Sequence, residues 1–179
     1  MNEKISGNLI IIGGAEDKKG KKEILKRVAK YIDPNKDKML IATIATEYPE
    51  KSYENYKTIF NNLGIKNIEK LDISVREEAF EKENIDLIKE ADLLFFTGGD
   101  QLRITSMIGG SPVYDAIKEL CINGGIIAGT SAGASVMSDT MIVEGNDEES
   151  PHKCTLKMSP GLGLVKNIII DQHFAQRGR

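Results

Sequence analysis

The sequence predicts an α/β fold organised around a mostly parallel β-sheet. Short apolar runs rich in Ile, Leu and Val alternate with longer, charged amphipathic segments, which is the pattern of repeated strand–helix–strand units. The run at 39–45 is apolar on both faces, as expected for a central strand that is covered on both sides. With 179 residues the chain has the size of one ordinary domain. We therefore expect a single α/β domain over residues 1–179.

The first half of the chain contains three predicted strands and two predicted helices. Gly13 and Gly14 close the first strand, and Gly64 is the expected stop of the second helix. The apolar residues between 21 and 31 follow helical spacing, which assigns the first helix. In chain order the elements are a strand at 8–12, a helix at 21–31, a strand at 39–45, a helix at 53–63 and a strand at 68–71.

The second half continues the same alternation. Pro112 is suited to the first turn of a helix, and Gly124 and Gly125 follow the end of that helix. A run of three isoleucines near the end of the chain predicts a last strand. In chain order the elements are a helix at 83–91, a strand at 93–97, a helix at 112–123, a strand at 126–128 and a strand at 168–170.

Composition and charge exclude several classes of protein. The hydrophobic content of 40% and charged content of 28% are those of a soluble globular protein. A net charge of −3 argues against a nucleic-acid-binding surface. No apolar run approaches the ~20 residues that span a bilayer, and the N-terminus lacks a secretory signal, so we expect a cytoplasmic protein without membrane contacts. Cys121 and Cys154 have no metal-binding spacing and are expected to be small apolar fillers, so no metal site is predicted.

Polar and glycine-rich segments follow four of the predicted strands, at 13–14, 98–99, 129–133 and 171–173. In open parallel sheets, binding and catalytic sites form at the carboxyl ends of the strands. We therefore expect the chemistry of this protein among these four segments.

The segment 129–133 has the sequence Gly-Thr-Ser-Ala-Gly and lies directly between a predicted strand and a helix. This G-x-S-x-G pattern in that context is typical of a nucleophile elbow, which exposes a serine hydroxyl on a turn too tight for larger neighbours. The pattern predicts Ser131 as a nucleophile. A serine-capped glycine turn or a phosphate-binding loop is the alternative interpretation.

A serine nucleophile needs a base and an acid that orients the base. His173 follows a predicted strand end and is the favoured base, whereas His152 lies in a polar stretch that looks like an exposed loop. The orienting carboxylate is expected between Ser131 and His173, and spacing alone does not select among the four acidic residues of that loop, which are Glu144, Asp147, Glu148 and Glu149.

A tetrahedral intermediate also needs an oxyanion hole. The backbone N–H of Ala132, directly after the serine, is one natural donor. The second is expected from Gly99, provided that the strand before it neighbours the strand before Ser131. A plain tight turn is the alternative interpretation of the glycines at 98–99.

Four segments together resemble the cyanophycinases, serine hydrolases that release β-Asp-Arg dipeptides from the storage polymer cyanophycin. The matching segments are 13–18, 97–101, 129–134 and 171–174. The resemblance implies a flavodoxin-like or class I glutamine amidotransferase-like three-layer sandwich, no cofactor and a homodimer. Family members continue for tens of residues beyond the histidine segment, so we expect this chain to lack C-terminal elements of the family.

The resemblance also implies roles for individual residues. Ser131 and His173 would be the nucleophile and base, and Glu149, which precedes a proline as the acid of the family does, would complete the triad. The same comparison implies that the substrate pocket is lined by Gln101, Asp171, Gln172, Arg177 and Arg179.

Three alternatives remain at this point. An α-aspartyl dipeptidase would keep the chemistry and change the substrate. A flavodoxin-like module could use the glycine loops for a phosphate or nucleotide, although the chain lacks the usual phosphate-binding glycine spacings. An inactive relative is the third.

Overall fold

The computed structural model describes residues 7–144 and 157–173, and its centre is a five-stranded sheet in which every neighbouring pair is parallel. The strand order is β1-β5-β4-β2-β3. The prediction of an α/β fold with a mostly parallel sheet is confirmed. The strands are β1 Asn8–Ile12, β2 Lys38–Ala42, β3 Asn67–Leu71, β4 Leu93–Phe96 and β5 Ile126–Thr130.

Helices cover both faces of this sheet and make the fold a three-layer sandwich. Alternate residues of β2 point to opposite faces, so Met39 packs with the apolar side chains of α1 and α2, while Leu40 packs with those of α3, α4 and α5. The helices are α1 Glu23–Ala29, α2 Pro49–Asn62, α3 Lys82–Lys89, α4 Gln101–Ile108, α5 Pro112–Ile122 and α6 Ala132–Ser135, with a 3-10 helix at Arg76–Phe80 before α3.

The centre of the sheet is buried and contains several aromatic side chains. All four residues of β4 are buried, and Phe95 contacts the rings of Tyr56 and Phe60 with centroid distances of 5.0 and 5.5 Å. Tilted and edge-on ring contacts of this kind stabilise a core beyond simple area burial. The two central strands β4 and β5 therefore give the site at their carboxyl ends a rigid base.

The strand register places the glycine-rich exits side by side. Ile12 of β1 pairs with Thr130 of β5, and Phe96 of β4 pairs with Gly129 of β5. The segments after β1, β4 and β5 consequently leave the sheet at one edge. The strand before Gly99 does neighbour the strand before Ser131, as the oxyanion-hole hypothesis requires.

The predicted strand at 168–170 is wrong. The segment pairs with no other strand of the described chain, and Ile168 and Ile169 are 51% and 48% exposed. Only Ile170 is buried, where its N–H donates to Ser138 Oγ at 3.3 Å. β-Branched residues favour a strand only where a partner strand is available, and this segment has none among the described residues.

The sequence analysis did not predict the 3-10 helix at Arg76–Phe80, helix α4 or a two-stranded hairpin outside the main sheet. α4, which follows Asp100, is short and carries polar residues among its apolar ones, so its periodicity is weak. An antiparallel hairpin of β6 Thr140–Glu144 and β7 Lys157–Pro160 lies outside the main sheet. The sequence analysis had assigned only a loop to this part of the chain.

Two predictions from composition can be compared with the structure. Cys121 is buried among apolar side chains, in agreement with its expected role as a filler, and burial raises the pKa of its thiol. Cys154 lies outside the described residues. Among the described helices, none combines the length and apolar character needed to cross a membrane.

Candidate active site

Ser131 occupies a sharp turn between β5 and α6. Its backbone has φ 54° and ψ −116°, a conformation that L-residues rarely adopt and that concentrates at functional sites. Only small neighbours fit, because a Cβ at Gly129 would lie 2.3 Å from the Gly133 carbonyl oxygen. The Ser131 N–H donates to the Ile12 carbonyl at 3.0 Å, which ties the turn to β1. The tight strand–helix turn that the motif predicts is present.

His173 lies directly against this serine. The distance between His173 Nε2 and Ser131 Oγ is 2.8 Å, which is hydrogen-bond distance for a nucleophile and its base. The backbone N–H of His173 donates to the Gly13 carbonyl at 2.8 Å, and the imidazole covers the Cα of Gly14. The loop after β1 therefore sets the position of the His173 ring.

Gln172 is a second group on the nucleophile. Its side chain is buried, and Ser131 Oγ donates to Gln172 Oε1 at 2.7 Å. A hydroxyl has one proton, so this hydrogen bond competes with donation to His173 Nε2. Rotation of the Gln172 amide by half a turn would present its NH₂ to Ser131 Oγ and leave the hydroxyl proton for His173.

The glycines after β4 form the opposite wall of the site. A Cβ at Gly98 would lie 3.7 Å from Ser131 Oγ, so the Gly98 backbone passes close to the nucleophile. At Gly99 a Cβ would lie 2.1 Å from the Ala45 carbonyl oxygen, which excludes any side chain there. Ala132 is the first residue of α6, where a backbone N–H has no acceptor within the helix. These N–H groups are the available donors for a negative charge beside Ser131.

Glu16 brings a buried carboxylate to the residue before the nucleophile. Its two oxygens accept hydrogen bonds from Thr130 Oγ1 and from the Tyr56 hydroxyl, each at 2.5 Å. Lys18 Nζ lies 3.3 Å from the same carboxylate and 4.7 Å from the centre of the Tyr56 ring. The sequence analysis quoted the segment 13–18 but assigned Glu16 no role. A charged residue two positions after a glycine pair at a strand exit was the available signal.

Other residues singled out from the sequence lie further from Ser131 or outside the described ranges. Gln101 is buried, and its Nε2 donates to the Ile142 and Val143 carbonyls at 2.9 and 3.5 Å, so its amide nitrogen holds β6. Asp171 is partly buried beside Gln172. Among the carboxylates whose side chains the structure describes, none hydrogen-bonds to the His173 ring. The side chain of Glu144 is not described, and the residues that fall outside the described ranges are Asp147, Glu148, Glu149, His152, Arg177 and Arg179.

Comparison with known proteins identifies the family. The model of peptidase family S51 matches residues 9–179, which is nearly the whole chain. The chain belongs to peptidase family S51. A cyanophycinase from Geminocystis herdmanii is 34% identical over 100% of this chain, and one from Trichormus variabilis is 36% identical over 96% of it.

The fold is also similar to that of a solved structure. A crystal structure of a peptidase from an acI-B1 Actinobacterium shares 25% sequence identity and has a TM-score of 0.73, covering 97% of this chain and 71% of that one. This likeness agrees with the three-layer fold described above. The chain spans 66% and 58% of the lengths of the two cyanophycinases.

The charge state of Glu16 follows from its contacts in this S51 chain. Burial raises the pKa of the Glu16 carboxyl, but the hydrogen bonds from Thr130 and Tyr56 and the nearby Lys18 outweigh burial and hold the pKa below its usual range. Burial, together with the adjacent Glu16 charge, raises the pKa of Tyr56 well above its usual range. Glu16 is thus an anion and Tyr56 a neutral donor at neutral pH.

We expect Glu16→Gln to lower the free energy of unfolding by about 1–3 kcal/mol at neutral pH, because one amide cannot accept both hydroxyl hydrogen bonds as a carboxylate does. A lowered folded-state pKa stabilises the fold fully above the ordinary value of 4.5, and this stabilisation is lost as the pH falls through the folded-state pKa. Urea unfolding of both proteins from neutral to acid pH should show the difference shrinking below that value. A difference that is constant with pH would contradict the assigned charge.

Proposed function

We propose that this chain is a serine peptidase that cleaves cyanophycin into β-Asp-Arg dipeptides. The observation that carries the proposal is the 2.8 Å contact between Ser131 Oγ and His173 Nε2 on a strained strand–helix turn. The resemblance to two cyanophycinases, at 34% and 36% identity, supports the choice of substrate.

In the proposed first step, His173 Nε2 takes the proton of Ser131 Oγ as the oxygen attacks the backbone carbonyl of an aspartyl residue. The negative oxygen of the tetrahedral intermediate accepts hydrogen bonds from the N–H groups of Gly99 and Ala132. His173 then protonates the leaving amine, and an acyl-enzyme on Ser131 remains. Water, deprotonated by His173, attacks this ester and releases the product.

Gln172 is proposed to touch the substrate as well as the nucleophile. Its buried amide would turn from Ser131 Oγ towards the bound substrate once the hydroxyl proton is directed to His173. Gln101, Asp171, Arg177 and Arg179 remain proposed contributors to the substrate pocket, the two arginines as ligands for substrate carboxylates.

The third member of the triad is proposed to be Glu149. Ile142 of β6, near one described end of the segment that contains Glu149, accepts a hydrogen bond from Gln101, which follows Gly99 by two residues. A carboxylate from this segment would accept the Nδ1 proton of His173 and stabilise the imidazolium.

We expect Glu149→Gln to lower kcat by about 10²–10⁴-fold, because the loss of the orienting carboxylate leaves the imidazole free to adopt the wrong tautomer. Asp147→Asn and Glu148→Gln are matched controls from the same segment and should retain kcat. Steady-state release of β-Asp-Arg measures all three. A large loss in one of the controls instead would move the assignment to that residue, and three active variants would place the acid elsewhere.

The substrate is tested by incubating the protein with insoluble cyanophycin and with α-aspartyl dipeptides, and following soluble products by mass spectrometry. Release of β-Asp-Arg from the polymer is expected. Cleavage of the dipeptides alone would replace the polymer by that substrate while keeping the chemistry. If the protein cleaves neither substrate, the proposed function is wrong.

A further inference from the structure

A groove of about 630 Å³ opens beside α4 and is separate from the contacts of Ser131. Its walls are the segment after β2, the first turns of α4 and the end of β7. The groove is lined by apolar side chains, Leu102 and Met107 among them, and by three charged side chains, which are Glu47, Asp100 and Arg103.

The charged groups of the groove have unused hydrogen-bonding capacity. Glu47 is exposed and forms no hydrogen bond or ion pair with any described residue. Asp100 caps α4 by accepting from the Leu102 N–H at 2.8 Å through one oxygen, and its second oxygen has no donor in the described part of the chain. Arg103 Nε donates to the Ile44 carbonyl at 3.0 Å, which anchors the guanidinium. Its two terminal nitrogens have no acceptor among the backbone and side-chain groups that the structure describes.

The groove lies within reach of the nucleophile. A Cβ on Gly98 would lie 3.7 Å from Ser131 Oγ, and Asp100 follows Gly98 by two residues. Two residues span at most about 7 Å between their Cα atoms. An aspartyl–arginine side arm of cyanophycin, counted in bond lengths from the backbone to the guanidinium, is on the order of 10 Å long.

We propose that this groove binds the arginyl side arm of the aspartyl residue next to the bond that is cleaved. This inference rests on the proposed function. Each arm carries one guanidinium and one α-carboxylate, separated by an apolar methylene chain. Glu47 and Asp100 would bind the guanidinium, Arg103 would bind the carboxylate through its terminal nitrogens, and the methylenes would lie on Leu102 and Met107. A free aspartyl dipeptide has no second arm to fill the groove, so the groove selects for the polymer.

The test measures binding without turnover. In a Ser131→Ala background, the fraction of protein that sediments with insoluble cyanophycin gives an apparent Kd. The double variant Glu47→Gln/Asp100→Asn removes both negative charges while the Asn keeps a capping oxygen for α4. We expect about tenfold weaker binding, because charged hydrogen bonds to the guanidinium are lost. Glu54→Gln, an exposed glutamate on α2 across the sheet, is the matched control and should bind as the background does.

A second readout uses the active protein. The double variant should raise KM for cyanophycin about tenfold with little change in kcat, since the arm is bound equally in the ground and transition states. Salt should weaken binding of the background protein more than binding of the double variant. If thermal unfolding shows that the double variant is destabilised, binding is measured instead with the single variant Glu47→Gln, which changes an exposed residue.

The outcomes separate the two proposals. Equal binding by the double variant and the background protein would overturn the groove assignment even if wild-type protein releases β-Asp-Arg. Failure of the wild type to release dipeptide would overturn the proposed function, and the sedimentation assay would still report on the groove. A protein that does not sediment with the polymer at all also overturns the groove assignment.

Discussion

Ser131→Ala is expected to lower kcat for cyanophycin by about 10⁴-fold or more, with a smaller change in KM. The variant removes the hydroxyl oxygen that lies 2.8 Å from His173 Nε2 and that forms the acyl-enzyme in the proposed reaction. Alanine fits the turn sterically because it is smaller than serine, and among the described residues the hydroxyl hydrogen-bonds to Gln172 and His173. The fold should therefore remain, and thermal unfolding of the variant should resemble that of the wild type.

Covalent labelling separates the nucleophile from the rest of the chain. A fluorophosphonate probe should modify Ser131 in the wild type, and mass spectrometry of the peptide that spans the elbow should locate the adduct. The Ser131→Ala protein should stay unlabelled, whereas Ser74→Ala, which changes an exposed serine after β3, should label as the wild type does. Labelling that persists without Ser131 would exclude it as the nucleophile.

Local sequence patterns predicted most of the parallel sheet because each central strand is apolar on both faces and ends in a distinctive turn. The strand at 8–12 matches β1, and 93–97 extends β4 by one residue. The elbow was equally visible, since its tight turn depends on Gly129 and Gly133, which are only four positions apart in the sequence. Structural features that depend on residues close together in the sequence could therefore be predicted without a structure.

Contacts between residues far apart in the sequence could not be predicted. Glu16 meets Thr130 across 114 positions, and Gln172 meets Ser131 across 41, so no sequence spacing indicates either contact. The segment 168–170 shows the opposite error. It has strand-forming residues, but a strand also needs a partner, and pairing is decided by the topology of the whole chain.

The loop after β1 connects these distant contacts into one site. The Gly13 carbonyl accepts a hydrogen bond from the backbone N–H of His173, and Gly14 lies against the imidazole. The Glu16 carboxylate accepts a hydrogen bond from Thr130, the residue before the nucleophile. One short loop thus positions both the base and the residue before the nucleophile. A change at Gly14, which contacts the imidazole, should therefore affect catalysis more than it affects the stability of the fold.

Gly14→Ala tests this directly. A Cβ at Gly14 would lie 2.6 Å from Cε1 and 2.7 Å from Nε2 of His173, so the imidazole has to move away. Because a displacement on the order of 1 Å at a catalytic group can cost about 10²-fold in rate, we expect kcat to fall by at least about 10²-fold. The rate of fluorophosphonate labelling of Ser131 should fall with it, since that reaction also uses the base.

Part of the effect of Gly14→Ala will come from backbone strain, because Gly14 has φ 114°. A substitution at a second glycine with positive φ, away from the site, measures the effect of such strain alone. Gly110 has φ 65° and open space around its Cβ position, so Gly110→Ala introduces backbone strain of about 1–2 kcal/mol without touching the site. Both variants should unfold at lower temperature than the wild type, but only Gly14→Ala should lose kcat and labelling. Equal activity in the two variants would mean that the loop after β1 does not position His173.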